Sequence, residues 1–177
     1  MIESLTFIHF FTATCLVELL MITIFRKVKR PGEKWKSINR WYTNLRWTAV
    51  ILDILSILIG FYISKFIYLY LVDKQIITKE NELLKFLGIV LCVQIIHDFL
   101  FYFLVIQKSN KGESLVMDEF IDYSEKVGIN AVIGDSIMYI LATPILFYLS
   151  KIDQDKNTFA SILSLYFIGY LIHQKQN

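Results

Sequence analysis

Four long hydrophobic stretches of this chain each carry a carboxylic acid well inside the apolar run. These acids are Glu18, Asp53, Asp98 and Asp135. An ionised side chain near the middle of a membrane helix costs about 2.5–3.5 kcal/mol, so four of them facing lipid would cost on the order of 10 kcal/mol. We therefore expect the acids to face one another inside a helical bundle. Four carboxylates gathered there cannot all be ionised, so the group is expected to bind protons or hold a cation.

Polar neighbours on the same helix faces favour a shared interior site. Gln94, His97 and Asp98 occupy positions i, i+3 and i+4, which places them on one side of a helix. The second stretch has small and polar residues at spacings of three and four, a pattern typical of closely packed membrane helices. The predicted proton- or cation-binding residues are Glu18, Asp53, Gln94, His97, Asp98 and Asp135.

Several of these side chains also have a purely structural explanation. Glu18 could be a protonated acid bonded to Thr14, and Asp53 could pair with Arg46. His97 could be a hydrogen-bonded core histidine, because one histidine among scattered acids lacks a metal-binding spacing such as HExxH. The sequence therefore assigns no metal and no other cofactor.

The composition predicts an all-α membrane protein that forms one domain over residues 1–177. Hydrophobic residues make up 55% of the chain and charged residues 19%. Five stretches approach the roughly 20 apolar residues that a helix needs to cross a bilayer. The predicted spans are residues 5–25, 47–71, 83–106, 129–149 and 159–172, of which the last is the shortest.

The connection between the first two stretches is strongly basic and predicts how the chain threads through the membrane. It contains every arginine of the protein, namely Arg26, Arg30, Arg40 and Arg46, and Glu33 is its single acid. By the positive-inside rule this connection is cytoplasmic, which puts the N-terminus outside. Five spans would then leave the C-terminus in the cytoplasm.

The same basic connection has a possible role in lipid binding. Each cation close to the membrane surface contributes about 1 kcal/mol of attraction to anionic lipid, so the four arginines are candidate headgroup or interface residues. The alternative is that they only determine topology. Trp35, Trp41, Tyr42 and Trp47 lie in or beside this connection and fit an interfacial aromatic belt.

This threading places the four acids at one depth. Glu18 precedes Arg26 by nearly the same number of residues as Asp53 follows Arg46. Asp98 and Asp135 have similar spacings from the lysines that flank the next cytoplasmic connection. With the helical rise of about 1.5 Å per residue, all four lie roughly 10–15 Å in from the cytoplasmic side.

A short amphipathic helix is predicted over residues 114–127, on the cytoplasmic side. Val116, Phe120, Tyr123 and Val127 recur at helical spacing, and acidic residues occupy most of the opposite face. An acidic face is not attracted to anionic lipid. We therefore expect this helix to pack against the protein's own basic connection, with a partner protein as the alternative.

Two short strings indicate a possible internal repeat. Residues 49–53 read AVILD and residues 131–135 read AVIGD, and both strings begin a predicted span on the cytoplasmic side. The repeat would pair the second and third spans with the fourth and fifth, as a parallel duplication of the kind known in transporters. Chance similarity is the alternative, since Ala, Val and Ile are common in membrane spans.

Three strings resemble those of uncharacterised small multi-span membrane proteins of large DNA viruses. They are Asn39-Arg40-Trp41-Tyr42, Gln94-Ile95-Ile96-His97-Asp98 and Met117-Asp118-Glu119-Phe120. The resemblance runs from about Ile38 to Leu149. It implies a viral multi-pass membrane protein and no particular activity.

Three functions are open at this point. The acidic residues favour a small transporter or channel that binds protons or a cation, and a chain this short is expected to work as a homo-oligomer. A metal-dependent enzyme acting on lipid is one alternative, with a structural or scaffolding membrane protein as the other. No nucleophile elbow, P-loop, dinucleotide fingerprint or nucleic-acid-binding motif is present, so no nucleic-acid partner is expected.

Overall fold

The computed structural model describes residues 1–28 and 31–174, and these residues form an all-helical structure. Seven α-helices and two short 3₁₀ helices occur in this part of the chain, without any strand. The 3₁₀ helices cover Ile2–Ser4 and Ile106–Lys108. The α-helices are α1 (Phe7–Lys27), α2 (Glu33–Leu45), α3 (Trp47–Asp73), α4 (Glu82–Leu104), α5 (Leu115–Val127), α6 (Ile129–Leu149) and α7 (Gln154–His173).

Four of the described helices are long and apolar enough to cross a membrane. They are α1, α3, α4 with the 3₁₀ helix that follows it, and α6. The helices are thus compatible with an integral membrane protein, and the predicted all-α fold is confirmed. The predicted count of five spans is wrong on this measure. The helix α7 falls short because its first turn, residues 154–157, is polar and includes Asp155 and Lys156.

The four long helices form a bundle around a central aromatic group. Both α1 and α4 pack against α3 and also against α6, whereas α7 packs mainly along α1. The ring of Phe61 on α3 lies 5.5 Å from that of Phe10, 6.2 Å from that of Phe86 and 5.1 Å from that of Tyr139. Phe61 therefore joins all four helices at the middle of the bundle.

Two sharp junctions connect the amphipathic helices to the bundle. A single residue, Arg46, separates α2 from α3, and Gly128 alone separates α5 from α6. Their backbone angles are nearly the same, φ 50° and ψ −119° for Arg46 and φ 54° and ψ −135° for Gly128. Glycine adopts this positive-φ conformation readily, whereas a residue with a Cβ is strained in it. These junctions fold α2 and α5 across the same end of the bundle, where they pack against each other.

The bundle has an internal pseudo-two-fold symmetry that relates α2–α3 to α5–α6. The same sequence offset separates Arg40 from Asp122, Trp41 from Tyr123 and Ile57 from Tyr139. Each of these pairs is in contact, through an ion pair, a ring contact and a hydrogen bond respectively. A two-fold axis brings a residue against its own equivalent, so the three contacts mark the axis.

The repeat differs from the predicted one in its extent. The prediction paired the third and fifth spans, whereas in the structure α4 resembles α1 in packing against both α3 and α6. The buried positions Phe10, Thr14 and Glu18 of α1 recur on α4 as Phe86, Val90 and Gln94, again every fourth residue. The repeating unit is thus α1–α2–α3 and α4–α5–α6. The helix α7 lies outside this repeat.

Candidate acidic site

Each helix of the four-helix bundle contributes one carboxylic acid to the end that α2 and α5 cover. The carboxyl group of Glu18 is close enough to interact electrostatically with those of Asp53 and Asp135. The carboxyl group of Asp135 interacts in the same way with those of Asp98 and Asp53. The structure therefore brings together the four acids that the sequence placed at one depth.

The most deeply buried member of this cluster is Glu18 on α1. Its side chain is 0% exposed, and neither carboxylate oxygen forms a well-aligned hydrogen bond among the described residues, although the Tyr42 hydroxyl lies close enough to interact with it. The suggested bond to Thr14 is absent, because the Thr14 hydroxyl donates to the Phe10 carbonyl at 2.9 Å instead. A buried, ionised and unpaired carboxylate is highly unfavourable, so this environment selects the protonated form of Glu18.

Asp53 on α3 is held by two aromatic residues of α2. Its Oδ2 atom accepts hydrogen bonds from the Trp41 indole N–H and the Tyr42 hydroxyl, both at 3.1 Å. The suggested pair between Asp53 and Arg46 is absent, because Arg46 is exposed and forms no ion pair in the described chain. Burial raises the pKa of Tyr42 well above its ordinary value, and the neighbouring Glu18 and Asp53 raise it further. Tyr42 therefore keeps its proton and remains a donor.

Asp98 on α4 and Asp135 on α6 form the other half of the cluster. Their carboxyl groups lie within hydrogen-bonding reach of each other. The Gln94 side-chain amide donates to Asp98, and its carbonyl oxygen lies 2.9 Å from the Ser136 hydroxyl. Two neighbouring carboxyl groups bind a proton between them more readily than either one does alone, because like charges repel.

His97 lies at the outer edge of this site. Its Nδ1 atom is 3.3 Å from Asp98 Oδ1, and its ring stacks on Phe101 with the ring centroids 6.1 Å apart. The side chain is 46% exposed. The structure thus places His97 beside the acids, as the spacing predicted, but on the surface of the bundle instead of in its interior.

The helices α2 and α5 close the site as a pair. The Arg40 guanidinium donates to Asp122 at 3.0 Å, and the Asn44 amide donates to Glu119 at 2.5 Å. The ring of Trp41 lies 4.7 Å from that of Phe120. The acidic amphipathic helix predicted over residues 114–127 therefore packs on the basic connection, as expected, and covers the cluster.

Two of the residues that complete the site, Trp41 and Tyr42, have a different role from the one that the sequence predicts. The prediction for both is an interfacial aromatic belt, but they are buried at 7% and 4% exposure and point toward Asp53. Tyr123 of α5 also borders the acids, and burial together with Asp135 raises its pKa. The sequence signal that could have indicated their burial is the strong amphipathicity of α2, whose buried face includes Trp41 and Tyr42.

The four arginines have separate environments. Arg26 donates to the Thr43 hydroxyl at 3.1 Å and to the Ile172 carbonyl at 3.4 Å, which ties α1 to α2 and α7. Arg40 pairs with Asp122. Arg46 is exposed. Arg30 lies outside the described residues.

The cluster consists of carboxyl groups and of aromatic and amide donors that contact them. No group of three or more His, Cys, Asp or Glu side chains in residues 1–28 and 31–174 is arranged to hold a metal ion. The acids are instead divided into one pair, one buried single acid and one acid bonded to aromatic donors. Such groups can bind, store and pass protons.

Comparison with known proteins gives no relative for this chain: no family model, no curated protein and no solved structure matches it. The resemblance to viral membrane proteins therefore stays a prediction.

Proposed function

We propose that this protein is a small membrane transporter or channel whose acidic cluster binds and passes protons. The observation that carries the proposal is Glu18, which is fully buried without a well-aligned hydrogen bond or an ion pair in the described chain and lies near the Tyr42 hydroxyl and two more carboxyl groups. A group that only stabilised helix packing would be expected to have its hydrogen bonds satisfied. Intramembrane acids in transporters commonly form proton relays.

The arrangement supports a proton path along the acids. His97 at the bundle surface contacts Asp98, and Asp98 lies beside Asp135. Asp135 is in range of Asp53 and of Glu18. In this path a protonated carboxyl group gives its proton to an ionised neighbour and becomes ionised itself, so one proton moves and the total charge of the pair is unchanged.

A bound cation and lipid hydrolysis at a metal are less well supported. Both would need several ligands around one point, and the described residues contain no such metal-binding group. The hydrogen bonds that Trp41 and Tyr42 donate to Asp53 use an oxygen that a cation would otherwise occupy. Proton binding is therefore the function that this geometry favours.

We also propose the orientation in which the α2–α5 pair is cytoplasmic and the N-terminus is outside. The helix α7 lies beside α1 along most of its length, from the Thr12–Asn157 contact to the Arg26–Ile172 contact. Its C-terminal end therefore lies at the same end of the bundle as the basic connection. In the proposed orientation His173 is cytoplasmic.

We propose a homo-oligomer in which the outer face of α4 contacts a second copy. Only 11% of the apolar segment of α4 is buried within the protein, the lowest share among the four long helices. His97 on this face has a half-exposed imidazole, and a polar ring facing lipid favours a hydrogen-bonding partner helix. We expect the purified protein to be oligomeric by light scattering and His97→Leu to dissociate it. A monomeric parent protein would contradict this arrangement.

Proton flux into liposomes tests the proposed transport directly. Purified protein is reconstituted with a pH-sensitive dye inside the vesicles, and a pH step or an electrical potential drives flux. Glu18→Gln and Asp135→Asn should abolish the flux and leave helicity unchanged. Glu80→Gln is the matched control, because Glu80 is exposed in the loop between α3 and α4.

The outcomes separate transport from a structural role. Normal flux in Glu18→Gln would overturn the relay, as would the absence of any flux in the parent protein. A loss of thermal stability without any change in flux per folded protein would assign the acids to helix packing.

A further inference from the structure

An open groove of about 830 Å³ lies between α7 and the beginning of α3, away from the acidic site. Its walls are mainly aromatic and apolar. They include Trp47, Leu165, Tyr166, Gly169, Tyr170 and His173. Trp47 and His173 place the groove at the end of the bundle where the basic connection lies.

The shape of the groove depends on Gly169. A Cβ at this position would lie 3.2 Å from Cζ2 of Trp47, so the missing side chain lets the indole approach α7 closely. Along α7 the Tyr166 and Tyr170 hydroxyls lie 2.9 Å apart, and their rings are 57% and 62% exposed. Such rings have apolar faces and a polar edge, which suits the boundary between acyl chains and headgroups.

An unusual cation immediately precedes Trp47. Arg46 has φ 50° and ψ −119°, a conformation that costs a residue with a Cβ about 1–3 kcal/mol. Its equivalent in the repeat, Gly128, has nearly the same conformation without this cost. The Arg46 side chain is exposed and makes no ion pair or hydrogen bond in the described part of the chain. The Arg46 guanidinium is thus available to a ligand at this position.

A second cation lies near the same end of the groove. Arg26 donates to the carbonyl of Ile172, next to His173. The Nδ1 atom of His173 lies 2.8 Å from the Gly169 carbonyl, which can only accept, so Nδ1 carries the hydrogen. The groove therefore has an aromatic wall, and two arginines lie beside it: Arg46 precedes Trp47 in sequence, and Arg26 bonds to the residue before His173.

We propose that this groove binds an anionic phospholipid. The guanidinium of Arg46 binds the phosphate, for which its planar set of donors is well suited. One acyl chain lies against Trp47, Tyr166 and Tyr170. A lipid with a net negative headgroup is favoured over a zwitterionic one, because no acid lines the groove and Arg46 beside it forms no ion pair with a described residue. The inference rests on insertion of the chain into a membrane and is independent of proton binding.

Lipid binding to the purified protein in detergent tests this proposal. Native mass spectrometry measures retention of phosphatidylglycerol and phosphatidylcholine, with inorganic phosphate as a third ligand. The parent protein should retain phosphatidylglycerol preferentially and should not retain inorganic phosphate. Arg46→Gly should weaken phosphatidylglycerol binding at least about tenfold, since it removes a charge-assisted contact. Gly169→Leu should abolish retention of both lipids, because it fills the groove.

Matched variants control for general effects of charge and volume. Lys36→Gln removes another cation of the same connection, one that pairs with Glu33 outside the groove. Gly88→Leu adds the same volume to α4, at a position where a Cβ would meet nothing within 4 Å. Both should retain phosphatidylglycerol as the parent does. The proposal is overturned if Arg46→Gly binds phosphatidylglycerol normally, or if the two lipids bind equally.

Discussion

The guanidinium of Arg40 donates a hydrogen bond to the carboxylate of Asp122 at 3.0 Å, and the two residues occupy equivalent positions in the two halves of the molecule. Trp41 and Tyr123 are also equivalent, with ring centroids 6.3 Å apart, and Tyr139 donates to its equivalent Ile57 at 3.2 Å. The pseudo-two-fold axis therefore passes between α2 and α5 and continues between α3 and α6. Asp53 and Asp135 are a further equivalent pair. Asp53 lies between Trp41 and Ile57 in sequence, and Asp135 lies between Tyr123 and Tyr139. The acidic cluster is thus built around the symmetry axis.

The contact between α2 and α5 should weaken at low pH. The hydrogen bond from Lys111 holds the pKa of Asp122 at about 2, below its ordinary value of 3.8, and Lys126 and Arg40 add to the effect. A lowered folded-state pKa means that ionised Asp122 stabilises the fold. This contribution is complete above pH 3.8 and is lost as the pH falls toward 2.

Thermal unfolding between pH 2 and 6 measures this effect. Because Asp122 is partly exposed, we expect the change in unfolding free energy to be below about 1 kcal/mol. Asp122→Asn should remove the Asp122 part of the pH dependence. Glu113→Gln on the nearby loop should not. An Asp122→Asn variant with the full acid sensitivity of the parent would assign that sensitivity to other groups.

Gly60 is expected to tolerate no side chain. A Cβ there would lie 2.0 Å from the Tyr139 hydroxyl oxygen, which is itself bonded to the carbonyl of Ile57. Gly60→Ala should therefore displace Tyr139 and lower the unfolding free energy by about 1–3 kcal/mol in thermal or denaturant unfolding. Gly134→Ala, where a Cβ meets nothing within 4 Å, is the control.

A second substitution checks the cause of the Gly60 effect. Tyr139→Phe removes the clashing hydroxyl, so Gly60→Ala should cost less in that background than in the parent protein. Equal costs in the two backgrounds would show that the hydroxyl is not the obstacle.

Exchanging the two junction residues should change stability in opposite directions. Arg46→Gly relieves a positive-φ residue of its strain and should raise the unfolding free energy by about 1 kcal/mol. Gly128→Arg introduces the same strain and should lower it by a similar or larger amount. Denaturant unfolding in mild detergent measures both. If Arg46→Gly is less stable than the parent in lipid-free detergent, the strained junction is not a cost to the fold.

Tyr42→Phe should impair proton flux without unfolding the protein. The Tyr42 hydroxyl donates to Asp53 at 3.1 Å, and Tyr42→Phe removes one of the two donors that hold this carboxyl group in the proposed relay. Flux in liposomes should therefore fall, whereas the unfolding free energy changes by about 1 kcal/mol. Tyr70→Phe is the control, because Tyr70 is 58% exposed. Equal flux in the two variants would exclude Tyr42 from the proton path.

The depth of the acids was predictable because the helical rise is constant. Counting residues from the basic ends of the spans placed Glu18, Asp53, Asp98 and Asp135 in one layer, and the structure brings them together. The long helices were also predictable, because a stretch of about twenty apolar residues has few alternatives to a helix in a bilayer.

The roles of Trp41 and Tyr42 could not be predicted from the pattern. Their contact with Asp53 requires α2 to fold back over the bundle, and that depends on the positive φ of Arg46. An arginine in the sequence does not indicate a junction with positive φ, whereas a glycine such as Gly128 does. The similarity between α1 and α4 gives little sequence signal, because the two helices share the spacing of their buried positions but few residue types. Phe10 and Phe86 match, but Glu18 corresponds to Gln94.

The infrared absorption of protonated carboxyl groups tests the central claim most directly. Spectra of the protein in lipid are compared at neutral and alkaline pH, for the parent and for Glu18→Gln, with Glu80→Gln as the control. We predict a protonated carboxyl band at neutral pH that is reduced in Glu18→Gln and unchanged in Glu80→Gln. A parent protein without this band, or a band that Glu18→Gln leaves intact, would contradict a proton-binding acidic cluster.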